Sequence, residues 1–419
     1  MGQLTLQGGE KSVKSLPETQ EAQTLWPQLG NAELASVNSL FEDANISTHK
    51  VIRELENAYR ERIGLKYALA HNNGTSALMA AFWALDLKPG DQILVPTATF
   101  WASVVPMMWH GIVPVFCESE GVELGLDIED VKAKWHPNVK AIVLVPLWGI
   151  PGNYEAILSF AKEKNLLIIE DASHAHGAQF KGKPVGSFGD ISVFSLQGDK
   201  LAPAGEGGML LTNNMEYYHR SMLLGDITRI FELETADRRF AATSFGIKTR
   251  ISPVSASIGL NSLKKLDEKN AIRKSNMIRL SEALEIYGFD CYVDRITWSR
   301  TYFEFVARVQ FNAKNILSVE EWVSALESEG CNVSKPRYPL LHEQPFFTEG
   351  AFKKVLRLAD SLCPTYTPGG FEKTRKLNHE LIKFPCFTTS NTGLLEEYIC
   401  AIHKVGSAQL AVKALLKNG

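Results

Sequence analysis

Residues 166–177 read LLIIEDASHAHG, and this stretch decides the fold class. Four consecutive apolar side chains, Leu166 to Ile169, make a short run that is greasy on both faces. A strand of that kind is stable only in a sheet covered on both sides. The run is preceded by a helical pattern, YEAILSFAKEK at 154–164, and before that by another apolar run, KAIVLVPLWG at 140–149. Working further outward, QILVP at 92–96 and IVPVF at 112–116 repeat the rhythm, separated by WASVVPMMWHG. KYALAHNNGTSALMAAFWAL at 66–85 passes from an apolar run through a Gly turn into a helix. Val51, Leu55 and Tyr59 stand four apart in HKVIRELENAYRERI, the spacing of an amphipathic helix. The first half therefore reads as α/β with a largely parallel sheet.

After SVFSLQGDK and GGMLLTNN the rhythm changes. Residues 256–287 read as one long helix, followed by the strand-like TYFEFVARVQF, the helical VEEWVSALESEG and a long polar, Pro-containing stretch at 335–385. This is an α+β pattern. At 419 residues two domains are expected, with a mobile N-terminal extension at 1–24, a large α/β domain at 25–265 and a small α+β domain at 266–419.

Composition narrows the function. The apolar share of 45%, the charged share of 22% and a formal net charge of −3 describe a globular chain without bulk attraction to nucleic acid or anionic membrane. No apolar run approaches the roughly 20 residues that cross a bilayer, and residues 1–23 lack the apolar core of a signal peptide. Six scattered cysteines without a CxxC pair suit neither a zinc site nor a disulfide framework. A cytoplasmic enzyme is expected.

Three segments end expected strands, where open α/β sheets place their ligands. In the first, Gly74, Thr75 and Ser76 open a helix, whose free N–H groups favour an anion; the plainer reading is a helix cap. In the second, Asp171 follows the apolar run and needs a cationic partner, or its pKa rises; an N-cap or ion pair is the plainer reading. In the third, Lys200 lies between a strand and the Gly-rich turn Gly205-Glu206-Gly207-Gly208. A buried lysine has a lowered pKa and can form a Schiff base, whereas an ordinary lysine is a surface charge.

In their order along the chain, NNGTSAL, EDASHAHGAQFKGKPVGSFGDISVFS and K…AGEGG resemble the DegT/DnrJ/EryC1/StrS sugar aminotransferase family. The likeness runs from about Trp26 to the last helix. DASHAHGAQFKGK, FSLQGDKLAPAGEGG and SASIGL look most like its scyllo-inosose aminotransferase and 3-amino-5-hydroxybenzoate synthase branch. The resemblance implies the fold type I of pyridoxal-phosphate (PLP) enzymes, a large α/β domain with a smaller C-terminal one, and a cytoplasmic homodimer with shared active sites. It implies that Lys200 holds pyridoxal 5′-phosphate and shuttles the proton, that Asp171 pairs with the pyridinium nitrogen and that His174 lies near the phenolic oxygen. Thr75, Ser76 and Ser195, beside Gly74, would bind the phosphate, and Phe100 would stack on the ring. An amino group would pass from glutamate or glutamine to a keto-sugar or ketocyclitol, with no part for nucleic acid or membrane. An aromatising dehydratase and a non-catalytic regulator on the same fold stay open as alternatives.

Two positions depart from the family. Lys248, in Gly246-Ile247-Lys248-Thr249-Arg250, stands where Asn commonly reaches the neighbouring subunit's phosphate, and Pro203 replaces a Thr or Ser after the lysine. A lysine still serves a phosphate as a point charge. His176 is expected to be packed or supporting. Trp101 and Trp148 are expected in the core or lining the substrate pocket, Arg337, Tyr338 and His342 approaching substrate, and Arg250 on the donor carboxylate or the partner subunit.

Overall fold

A computed structural model describes residues 2–417. Its central sheet has seven strands: β1 (Tyr67–His71), β2 (Gln92–Pro96), β3 (Val113–Cys117), β4 (Val139–Leu144), β5 (Leu167–Asp171), β6 (Ile191–Ser195) and β7 (Gly208–Thr212). The order across the sheet is β1-β7-β6-β5-β4-β2-β3. Only β7 runs against its neighbours, pairing antiparallel with both β1 and β6. Six carboxyl ends therefore share one edge, and the three segments singled out above all arrive there.

The apolar runs work as a doubly covered sheet requires. Successive residues alternate between two cores: Ile142, Leu144 and Ile168 face one, while Ala141, Val143 and Ile169 face the other. The first core is closed by helices Val51–Ile63 and Pro253–Lys264, the second by Gly74–Ala84 and Met215–Gly225. Each fully buried Leu or Ile contributes about 1.5–3 kcal/mol. A separate core lies under the antiparallel sheet of Phe289–Asp290, Phe305–Val309 and Leu381–Phe384, packed by helices Leu266–Glu285 and Gly393–Ser407.

Three sequence expectations change. The long helix is two helices, Pro253–Lys264 and Leu266–Glu285, broken at Lys265. The Lys265 N–H bonds the Ser262 carbonyl at 3.2 Å, a three-residue step that ends the first helix. Its side chain turns to Glu33 at 2.6 Å.

The N-terminal stretch, read as a mobile extension, is packed. Leu4 and Val13 are buried in the small-sheet core, and the buried carboxylate of Glu329 accepts from Thr5 N, Ser12 N, Ser12 Oγ and Lys404 Nζ. Two isolated apolar residues carry no periodic signal, and their partners lie some three hundred positions away.

Residues 340–371, read as part of the small domain, lie instead on the large sheet's core. Leu341, Phe347, Phe352 and Tyr366 pack there, with Phe347 and Tyr366 ring centroids within 5 Å of Phe116. Among the described residues no single helix is long and apolar enough to cross a membrane.

Candidate active site

The shared carboxyl edge opens into a cavity of about 500 Å3. Lys200 lies in its wall, only 9% exposed, in the turn after β6. Burial lowers its pKa to about 8; Asp171 opposes the shift and Arg337 reinforces it. Its Nζ stands 4.3 Å from the centroid of the Phe303 ring, and its carbonyl accepts from Trp26 Nε1 at 2.9 Å. An amine this dry and this weakly basic is neutral in roughly a tenth of molecules at pH 7, far more than an ordinary lysine, and the neutral form is the nucleophile.

Asp171, the last residue of β5, is buried beside it. Ser103 Oγ donates to one carboxylate oxygen at 2.6 Å and Ser173 Oγ to the other at 2.5 Å. With its proton committed to Asp171, Ser103 accepts from Thr99 Oγ1 at 2.9 Å. The cavity thus holds a carboxylate whose side-chain partners are hydroxyls.

His174 is sandwiched. Its ring stacks on Phe303 at 4.0 Å and on Tyr338 at 5.6 Å. Trp148 N donates to Nδ1 at 3.3 Å, so the proton sits on Nε2, which donates to Tyr338 OH at 3.3 Å. Burial, with Lys200 and Arg337 nearby, holds its pKa well below the usual range, and the imidazole is neutral. Trp148 takes a left-handed backbone (φ 55°, ψ 16°) to aim that N–H.

At the opposite wall, helix Gly74–Ala84 points its N-terminus at the cavity. Its cap is Asn73, whose side chain accepts from Ser76 N at 2.7 Å, rather than Thr75 or Ser76. The Gly74 and Thr75 N–H groups and the Thr75 hydroxyl are left for a ligand. Gly74 is required: a Cβ there would lie 2.8 Å from the Ser195 Cβ. This close approach brings Ser195, at the end of β6, against the helix terminus and makes a cradle for an anion. Phe100, 40% exposed, presents its ring to the cavity 5.8 Å from Tyr338.

Lys200, Asp171, His174, Gly74, Thr75, Ser195, Phe100, Trp101, Arg337 and Tyr338 thus line one cavity. Other expected residues stand apart from it. Ser76 is half-buried but does not face the cavity. Lys248 is exposed and outside it. Arg250 bonds Thr228 and Ser47 and does not line the cavity. His342 is buried on Thr97 Oγ1 at 2.6 Å, because residues 340–371 dock on the sheet. Pro203 is buried outside the cavity wall. His176 contacts Tyr59 OH at 3.0 Å, and burial takes its pKa down to about 3, a packed neutral histidine. Trp148 is buried and contributes its backbone.

Ser103 and Thr99 escaped the sequence reading because they belong to the segment after β2, which only the sheet order brings near β5. Ser173 carried a local signal, two residues after Asp171, where a serine bonds an Asp side chain by geometry alone.

The family model for the DegT/DnrJ/EryC1/StrS aminotransferase family matches residues 27–367. The chain is 35% identical over 243 residues to GDP-perosamine synthase of Escherichia coli O157:H7, covering 58% of this chain and 65% of that one. It is 28% identical over 329 residues to L-glutamine:scyllo-inosose aminotransferase of Streptomyces griseus, covering 75% and 78%. The chain spans less than two thirds of the length of the first of these relatives. An aminotransferase from Psychrobacter cryohalolentis superposes with a TM-score of 0.79 at 24% identity, over 91% of this chain and 98% of that one, and shares the fold. With the family model spanning both the anion cradle and the buried lysine, the chain belongs to the DegT/DnrJ/EryC1/StrS aminotransferase family.

Proposed function

We propose that the chain is a PLP-dependent aminotransferase that moves an amino group from glutamate or glutamine to a keto-sugar or ketocyclitol. One observation carries this reading: a nine-tenths buried lysine with its pKa lowered to about 8 shares a cavity with a buried, hydroxyl-bonded carboxylate. Together with the helix-terminus cradle they offer an amine, a negative charge and an anion site, the three things pyridoxal 5′-phosphate asks of a protein.

When bound, the cofactor would supply the electron sink that stabilises negative charge at the donor's α-carbon. Gly74, Thr75 and Ser195 would hold its phosphate, and Asp171 would face its ring nitrogen. His174, locked between two aromatic rings with Nε2–H donated to Tyr338, gives a neutral wall that keeps Tyr338 and Phe303 in register. Lys200 Nζ would accept the donor's α-proton and return it to the cofactor carbon two bonds further on, a role its lowered pKa suits. Phe100 and Trp101 at the open rim would meet the acceptor's rings. Lys248, exposed and away from its own cavity, would serve the partner subunit's phosphate in a homodimer.

The deciding experiment adds pyridoxal 5′-phosphate to the purified protein and follows its visible absorption before and after glutamate or glutamine. The reading expects a visible band that bleaches with one of these donors. No band at all, or the same band in Lys200→Ala, would refute it.

A further inference from the structure

The segment that carries Lys200 is thinly held. Residues 196–207, between β6 and β7, form neither helix nor strand. Their backbone ties itself through Leu196 N to the Gly207 carbonyl at 2.8 Å, Ala204 N to the Leu196 carbonyl at 2.7 Å and Lys200 N to the Gln197 carbonyl at 2.8 Å. From outside, Arg337 reaches Asp199 at 3.4 Å, an exposed pair that holds little. Among the described residues no backbone N–H reaches the Lys200 carbonyl. The Trp26 indole N–H does, at 2.9 Å.

Trp26 is itself firmly placed. Half-buried, it stands one position before the region matched to the family, at the end of the packed N-terminal stretch. That stretch is tied to the small domain up to its neighbour. Leu394 N donates to the Gln23 side chain at 2.9 Å, and buried Thr388 donates its N–H to the Gln23 carbonyl at 3.0 Å. The Thr388 hydroxyl donates to the Leu25 carbonyl at 2.9 Å. The buried guanidinium of Arg273, on helix Leu266–Glu285, lies over the indole 4.2 Å from its centroid. Ring and N–H direction are thereby set from the small-domain side.

A residue has two soft backbone dihedrals, so holding both peptide planes beside a Cα fixes the direction in which its Cβ leaves. For Lys200 one plane is held by the Gln197 carbonyl and the other by Trp26. The four-carbon stem beyond is flexible, and a misplacement of about 1 Å at a reacting atom costs on the order of 100-fold in rate. Taking Lys200 in the role given above, we propose that Trp26 is a positioning residue: its indole N–H, through the Lys200 carbonyl, keeps the lysine amine against Phe303 at the cavity wall. The Phe303 ring, its centroid 4.3 Å from Nζ, keeps water from the amine. A Lys200 released from Trp26 gains that water, and water favours its charged form.

The test is acetylation of Lys200 by acetic anhydride in cofactor-free protein from pH 6 to 10, read by mass spectrometry of the peptide that carries it. Capture of pyridoxal 5′-phosphate is followed separately by its visible band. Trp26→Phe keeps a ring for Arg273 and removes the N–H. Its acetylation midpoint should lie about half a pH unit above wild type, which leaves roughly threefold less neutral amine at pH 7. Cofactor capture there should slow by at least that factor. Ser12→Ala loosens the stretch at its far end, where Ser12 Oγ donates to Glu329; it should lower the melting temperature and leave the midpoint unchanged. An unmoved midpoint in Trp26→Phe, or an equal shift in Ser12→Ala, would overturn the proposal. Should Trp26→Phe fail to fold, a benzothienyl isostere at position 26, with sulfur for the N–H, must give the same shift or the proposal falls. A wild-type protein that forms no visible band would refute the aminotransferase reading alone, since the acetylation midpoints would still decide what Trp26 does.

Discussion

Glu170 and Asp171 are consecutive residues at the end of β5, and strand alternation sends them to opposite faces of the sheet. Glu170 is fully buried and saturated: Gly186 N, Phe188 N, Gly189 N, Tyr154 OH and Ser192 Oγ all donate to it, at 2.6 to 3.2 Å. Burial still raises its pKa against those donors. Asp171 holds two serine hydroxyls and a long 3.3 Å bond from Ser173 N, and it faces a cavity. A carboxylate wrapped by the chain's own N–H groups pins a loop, whereas one left with capacity beside a buried amine is placed for a ligand. Type and position along the chain could not separate the two; their partners do.

That contrast can be broken most severely at the amine Asp171 faces. Lys200→Ala should abolish amino transfer while leaving the fold intact, read by donor turnover beside circular dichroism; a variant that still turned over would end the comparison. Asp171→Asn comes next. Removing one preorganised electrostatic group from a site costs about 3 kcal/mol of transition-state stabilisation, so transfer should slow on the order of 100-fold, with the melting temperature little changed. Glu170→Gln should do the reverse. Its amide nitrogen cannot accept from the Phe188 and Gly189 N–H groups, and stranding such donors costs about 2–3 kcal/mol. Urea unfolding should show that loss, with the rate per folded molecule near wild type. If Asp171→Asn unfolds the protein and Glu170→Gln slows it, the two roles are reversed.

The smallest effect is in pH. With a pKa near 8 for Lys200, the neutral amine grows roughly tenfold between pH 7 and pH 9. Capture of pyridoxal 5′-phosphate should accelerate by that factor and level off above it. Stability carries the same signature. The unfolded chain holds more protons than the fold between pH 8 and the lysine's ordinary 10.5, so the cost of burying Lys200 is full below pH 8 and fades as pH rises through that window. The stability gap between Lys200→Met and wild type should narrow accordingly in urea titrations from pH 7 to 10.5.

Much of the site was legible because short-range chemistry writes it. Lys200, Asp171, His174 and Gly74 each follow a strand run directly, and strand ends on one edge of a sheet converge by topology. What stayed hidden depended on contacts between remote segments. Ser103 bonds Asp171 from 68 positions away, Tyr338 holds His174 from 164, and Glu304 meets Arg337 from 33. Thr75 against Ser76 was undecidable from sequence, since either could cap the helix until Asn73 is seen to do so.

The sequence by itself determined the doubly covered sheet, the edge where the cavity opens and the family, because periodicity and strand-end motifs are local and survive without a partner. Only the tertiary structure decided that the N-terminal stretch is packed, that residues 340–371 join the large core and that Ser103 reaches Asp171. Burial and pairing are properties of what surrounds a residue, and those surroundings come from parts of the chain hundreds of positions apart.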